Sequence, residues 1–239
     1  MNRQGRDYLG TFRVEKFRNF LFRRWCILLI LGIFMPVVGC QSAYYGTMEA
    51  FGVHKRDILV DRVQDARDDQ EEAKEQFESA LEAFTSVTEF KGGELEEAYD
   101  RLNGEYERSK DKAEDVRKRI RSIKSVAEAL FDEWEGELDE YTSDDLRRRS
   151  EQTLHETQRQ YDHLIRVMDT AADKMDPVLD AFHDEVLFLK HNLNAQAIAS
   201  LEGNTAELQS TISDLVAEME RAIEEADSFI ASMNPSDNQ

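Results

Sequence analysis

Residues 95–134, LEEAYDRLNGEYERSKDKAEDVRKRIRSIKSVAEALFDEW, decide the fold of this chain. Within them Leu95, Tyr99, Leu102, Tyr106, Ser109, Ala113, Val116, Ile120, Ile123, Ala127, Leu130 and Trp134 follow one another in alternating steps of four and three. Such spacing draws a single stripe along a helix, and its persistence beyond three heptads predicts packing against other helices. Glu, Lys, Arg and Ala, all good helix formers, fill the positions between.

Working outward, the same rhythm recurs upstream from Leu59 through Val63, Ala66, Gln70, Ala73, Phe77 and Phe84 to Val87. Downstream it runs from Ser150 through Leu154, Tyr161, Leu164, Met168 and Met175 to Val178, then loosely to Leu193, and again from Leu208 to Met233. Prolines number only three and no alternating strand pattern of useful length occurs. The expected fold is all-α: an elongated antiparallel bundle of three to five long helices with coiled-coil packing. Helices are expected at about 57–90, 95–140, 144–176, 177–201 and 205–233, with 234–239 as a disordered tail. The break at 176–177 reflects Pro177, which either kinks a helix or starts a new one capped by Asp176.

The turns follow from the breakers. Gly92-Gly93 ends the first helix, and folding there sets Val87 against Tyr99 and Phe77 against Ser109. Folding about Thr142 sets Trp134 against Ser150 and Ile123 against Tyr161, with Thr142 or Ser143 as the cap. This hairpin brings Glu133, Glu135 and Glu137 opposite Arg147, Arg148 and Arg149, which are expected to form inter-helix salt bridges. Gly203-Asn204 is expected to turn the last hairpin, with Leu189 against Met219. Because Leu59 aligns with Ala127, a two-helix arm over about 128–156 should project past a three-helix body.

The N-terminus has a different character. Seven basic residues against two acidic ones precede Trp25, and an apolar run to Met35 leads to Val37-Val38-Gly39-Cys40. A charged region, an apolar region and a small-residue site describe a secretory signal peptide over 1–39. The cysteine directly after Gly39 resembles the bacterial lipobox, which implies lipidation of Cys40 and its exposure as the first mature residue. Trp25 to Gly39 spans 15 residues, short of the roughly 20 that cross a bilayer, and Arg23-Arg24 block its extension. An uncleaved signal anchor in the inner membrane is the alternative.

Cleavage before Cys40 leaves 200 residues with a net charge of −25. That balance argues against nucleic acid as a partner, since affinity there needs Lys and Arg on phosphates. The only other cysteine, Cys26, leaves with the signal peptide, so no disulfide or thiolate metal site is expected. No nucleophile elbow, phosphate loop, CxxC or HExxH occurs, and no enzyme, catalytic residue, cofactor or metal is expected. His183 and His191, eight residues apart beside Asp184 and Glu185, and acidic faces such as Glu71-Glu72 and Glu224-Glu225, without EF-hand spacing, are the features from which a divalent-metal or ligand-binding module could be built; a solvated helix face is the plainer reading.

Residues 40–56 form a short tether carrying Tyr44, Tyr45 and Phe51, which suit either the membrane–water interface or packing on the bundle arm. This segment, with Cys40 and the continuation Asp65-Ala66-Arg67-Asp68, resembles an uncharacterised bacterial lipoprotein-like family that carries only a domain-of-unknown-function label. The resemblance implies a helical lipoprotein or membrane-associated protein and no known activity. Taken together, a lipid-anchored protein facing the periplasm is expected, with a structural or scaffold role in the cell envelope. Gln41, in place of an aspartate, favours the outer membrane over the inner. The expected partners are the membrane, through the lipid, and one or more proteins; a homo-oligomer stays open, because seams within and between chains look alike.

Overall fold

The computed structural model describes residues 54–88, 95–192 and 195–233, with the backbone alone for 195–200 and 202. All of them belong to the unit Met48–Gln239. Four helices account for nearly all of the described residues: α1 (Lys55–Thr88), α2 (Leu95–Glu137), α3 (Asp144–His191) and α4 (Ala195–Met233). A 3-10 turn, Leu138–Glu140, ends α2. At 1.5 Å per residue α1 is about 50 Å long and α3 about 70 Å. Each helix packs on two neighbours, α1 on α2 and α4, and α3 on α2 and α4, which makes an antiparallel four-helix bundle. No strand occurs among the described residues.

The heptad stripes supply the core. Leu59, Phe77, Phe84, Leu102, Ile123, Leu164, Met168 and Met219 are all fully buried. Each such side chain contributes about 1.5–3 kcal/mol through burial. Phe84 meets Phe182 edge-on with ring centroids 6.1 Å apart, so α1 and α3 touch across the middle.

Cross-helix polar pairs report the registers. Between α1 and α2, Gln76 Nε2 donates to Glu105 Oε2 at 2.7 Å and Ser109 Oγ at 3.4 Å, near the level expected from a fold about residue 93. Arg119 bridges Asp69 at 2.7 Å and Asp65 at 3.1 Å. Between α2 and α3, Trp134 Nε1 donates to Ser150 Oγ at 2.8 Å. Farther down the seam Tyr161 lies edge-on to Phe131, at 5.4 Å, and not against Ile123. Helical side chains lean toward their own N-terminus, so those of antiparallel helices converge and join residues from successive turns.

Two helix boundaries correct the sequence reading. Pro177 does not divide 144–176 from 177–201; one helix runs from Asp144 to His191. Pro177 is exposed, while Met175 and Val178 are almost wholly buried. Arg117 of α2 reaches this point, donating to the Ala172 carbonyl at 3.2 Å and to Asp176 at 2.5 Å. These bonds tie α2 to α3 just before the proline, whose missing N–H would have served the Asp173 carbonyl.

α3 ends at His191 and α4 begins at Ala195 instead of 205, so Gly203-Asn204 lies inside a helix and not at the last turn. Asn192 N–H donates to the Leu189 carbonyl at 3.2 Å and closes α3. Gly203 is exposed and its α position faces open space, so it costs only about 1 kcal/mol as an interior helix residue. Leu201, seven residues before Leu208, is fully buried, and that burial outweighs the glycine. The α3–α4 register moves accordingly: Asn204 Nδ2 donates to Glu185 at 2.6 Å, Lys174 pairs with Glu218 at 2.8 Å, and Ser232 donates to Gln160 at 2.9 Å. Leu189 therefore does not sit at the level of Met219.

The body has four helices, not three, and the arm is shorter than expected. At the end where α1 begins, Lys55 pairs with Glu133 at 2.8 Å and the Arg56 guanidinium meets the carbonyl of Met233. Among the described residues, only those of α2, the 3-10 turn and α3 continue beyond that level. None of residues 132–153 is buried.

Candidate functional site

Residues 134–153 form this arm, and its tip is built by local rules. Ser143 caps α3, its hydroxyl accepting from the Leu146 amide at 3.4 Å, and Asp144 and Asp145 occupy the first turn, where the helix dipole favours anions. Trp134 and Tyr141 converge on the Ser150 hydroxyl, the Tyr141 hydroxyl lying 3.3 Å from it. Tyr141 and Leu146 remain 41% and 54% exposed. They are two of the four large apolar side chains that stand out among the described residues; Leu187 and Phe188, near the other end of α3, are the other two.

The arginine triplet does not pair as expected. Arg147 reaches Asp139 at 3.4 Å, whereas Arg148 and Arg149 both turn to Asp145 in their own helix, at 3.2 and 3.0 Å. Consecutive helical residues are 100° apart and cannot all face one neighbour, whereas i,i+3 and i,i+4 partners lie close by. Glu133 instead takes Lys55, and Glu135 accepts from Gln158 Nε2 at 3.0 Å. Neither Glu133, Glu135 nor Glu137 meets the triplet.

At the base of the arm, His54, Lys55, Arg56, Leu130, Glu133, Trp134 and Glu137 line an open groove of about 520 Å³. A second groove, about 390 Å³, runs between α3 and α4 beside Pro177, Asp184, Glu185 and Asn204. Burial raises the Glu185 carboxyl above its ordinary range, and the Asn204 hydrogen bond only partly offsets this. A third, about 580 Å³, is edged by His163, Arg166, Glu218, Arg221 and Glu225. There the hydrogen bond from Lys174 leads in holding Glu218 below its ordinary range. The Tyr161 hydroxyl is pushed up to about 12, first by burial and then by Asp162, Asp169 and Glu128.

His183 and His191 are not drawn together. The His183 ring stacks on Tyr106 at 5.0 Å and 25°, and His191 sits exposed in the last turn of α3, where positive charge suits the dipole. Among the described residues no group of three His, Cys, Asp or Glu side chains is placed to hold a metal ion. The cleavage motif Val37, Val38 and Gly39, the lipidation residue Cys40, the tether aromatics Tyr44, Tyr45 and Phe51, and the tail 234–239 lie outside the described residues. A feature that the stripe alone did not flag is Gln70, fully buried with neither amide atom hydrogen-bonded.

Fold and surface together define an acidic antiparallel four-helix bundle with open grooves and a protruding two-helix arm. The chain belongs to the family described as a protein of unknown function (DUF2959), whose model matches residues 44–233. No curated protein and no solved structure matches it.

Proposed function

We propose that this chain is a lipid-anchored extracytoplasmic bundle of the bacterial cell envelope, held through Cys40, with a structural or interaction role and no catalysis. The observation that carries the reading is in the sequence: a basic region, an apolar run from Trp25 to Met35 and Val37-Val38-Gly39 directly before Cys40. Two further points support it. No helix among the described residues is long and apolar enough to cross a membrane. A body of net charge −25 is repelled by anionic lipid, so attachment falls to the acyl chains. A single acyl chain binds only marginally, which makes the two- or three-chain anchor of a lipobox cysteine the effective one. Gln41 favours the outer membrane, with the bundle in the periplasm and its partners proteins met through the helix faces.

The test is metabolic labelling with a radioactive fatty acid in wild type and Cys40→Ser, followed by membrane fractionation. Label and membrane association present in wild type and lost in the serine variant are expected. Label retained by the variant, or absent from wild type, overturns the reading.

A further inference from the structure

The arm rises from the end of the bundle at which α1 begins. α1 begins at Lys55, 15 residues after Cys40, and the arm continues past Lys55 at that end of the bundle. From the Lys55–Glu133 pair to the turn at Tyr141, four residues of α-helix and the 3-10 turn rise about 12 Å, roughly 15 Å with the turn itself. Fifteen residues of chain can reach about 50 Å, so the tether allows a stand-off of that size. A protein held by Cys40 can therefore set the arm tip at the lipid surface while its body stays clear.

The tip also has the chemistry for that position. Tyr141 and Leu146 are exposed beside Arg147, Arg148 and Arg149, whose side chains are 49%, 68% and 76% exposed. Tyr and Leu favour the interface, and arginine can keep its head at phosphate level while its stem lies on apolar surface. Asp139 and Asp145 pair with the triplet, and with Glu140 and Asp144 also counted residues 138–149 carry a net charge of only −1. The tip is thus far closer to neutral than the mature chain, whose net charge is −25.

We propose that the arm tip, Tyr141 and Leu146 with Arg147, Arg148 and Arg149, is a second contact with the phospholipid surface, orienting the bundle upright on its anchor. The proposal rests on the lipid-anchored reading. A contact this small is weak in free solution, but tethering raises the effective concentration into the millimolar range, where weak contacts are occupied.

The mature lipoprotein has no other free thiol once Cys40 is acylated, so Leu146→Cys and, at the opposite end, Leu187→Cys each give a single labelling site. Each full-length variant is spin-labelled and reconstituted into vesicles of phosphatidylethanolamine and phosphatidylglycerol. Vesicle flotation reads the anchor; relative collision with oxygen and with a water-soluble nickel chelate reads depth. The expected result is flotation of both variants, with the oxygen-to-nickel ratio several-fold higher at 146 than at 187. Adding Tyr141→Ser should bring the ratio at 146 down toward that at 187. Flotation with equal ratios overturns the tip contact and leaves the anchor standing, whereas failure to float overturns the anchor. Loss of both collision rates at 146 in vesicle-free protein would place a second copy on the tip and overturn the lipid contact.

Discussion

Replacing Gln70 with leucine tests how the core is held together. Gln70 occupies a stripe position of α1 with no exposed surface, and neither its amide oxygen nor its amide nitrogen has a hydrogen-bond partner. Burying such a group without compensation costs about 1–3 kcal/mol on protein mutational scales. Leucine removes both polar atoms and adds transfer free energy; against this stands imperfect filling of the longer glutamine's volume, about 1 kcal/mol for a cavity the size of a methyl group. The net expectation is a gain of about 1–2 kcal/mol, and Gln70→Met, closer in shape, should gain at least as much. Since 1 kcal/mol moves the Tm of a domain this size by about 2–4 °C, the melt should rise by about 2–8 °C. Urea titration followed by circular dichroism checks it, with the midpoint raised and the slope unchanged, because the surface exposed on unfolding is the same. An unchanged or lowered midpoint in both variants would refute the reasoning and mean that the amide is paired in solution, as by a buried water.

Further expectations concern charge, backbone and packing. Glu185, whose folded pKa is raised by burial, binds its proton more tightly in the folded state; Glu185→Gln should stabilise at pH 7 and the gain should vanish below about pH 4, where the unfolded carboxyl is also protonated. Glu218 has the opposite sign: its lowered pKa gives stability that is present above about pH 4 and lost as pH falls through the folded value, so the deficit of Lys174→Gln should shrink on acidification in pH-dependent urea titrations. Pro177→Ala should stabilise by about 2 kcal/mol, the roughly 3 kcal/mol helix penalty less the 0.4–1 kcal/mol by which proline restrains the unfolded chain. Leu164→Ala, at a site with no exposed surface, should cost about 2–5 kcal/mol, whereas Leu146→Ala on the arm should stay within about 0.5 kcal/mol; equal losses in calorimetry would contradict the burial described for the two sites.

The parts of this fold that were legible in the sequence are those where one physical signal had no rival. The stripes of α1 and α2 are regular, their link contains two glycines, and polar pairs such as Gln76 with Ser109 fall near the predicted level. Where two signals competed, the local one misled. Gly203-Asn204-Thr205 reads as a stop and a cap, yet Leu201 already continues the heptad of Leu208 backward, and its burial outweighs one exposed glycine. Pro177 is the same contest: a lost hydrogen bond and ring clash against the burial of Met175 and Val178 on the same helix. The arginine triplet failed for a different reason, because opposition across a hairpin was inferred from level alone, without the 100° between consecutive side chains.

The pairing of the arginine triplet bears on function. If Arg147, Arg148 and Arg149 had neutralised Glu133, Glu135 and Glu137, the arm would be a closed zipper with nothing to offer. As folded, Glu133 ties α1 to α2 where the body ends, and the arginines stay at the tip, sharing only Asp139 and Asp145 and lying beside exposed Tyr141 and Leu146. The arm thus divides into a base that fixes its direction and a tip left open to a partner. Because the base pair involves the first residue of α1, the direction of the arm is tied to the start of that helix. Lys55→Ala should therefore loosen the arm at its root without touching the tip. Its expected signature is a broader distribution of label-to-label distances between the arm tip and the body in electron spin resonance, at unchanged helix content; a distribution as narrow as wild type would show that the α2–α3 seam alone sets the direction.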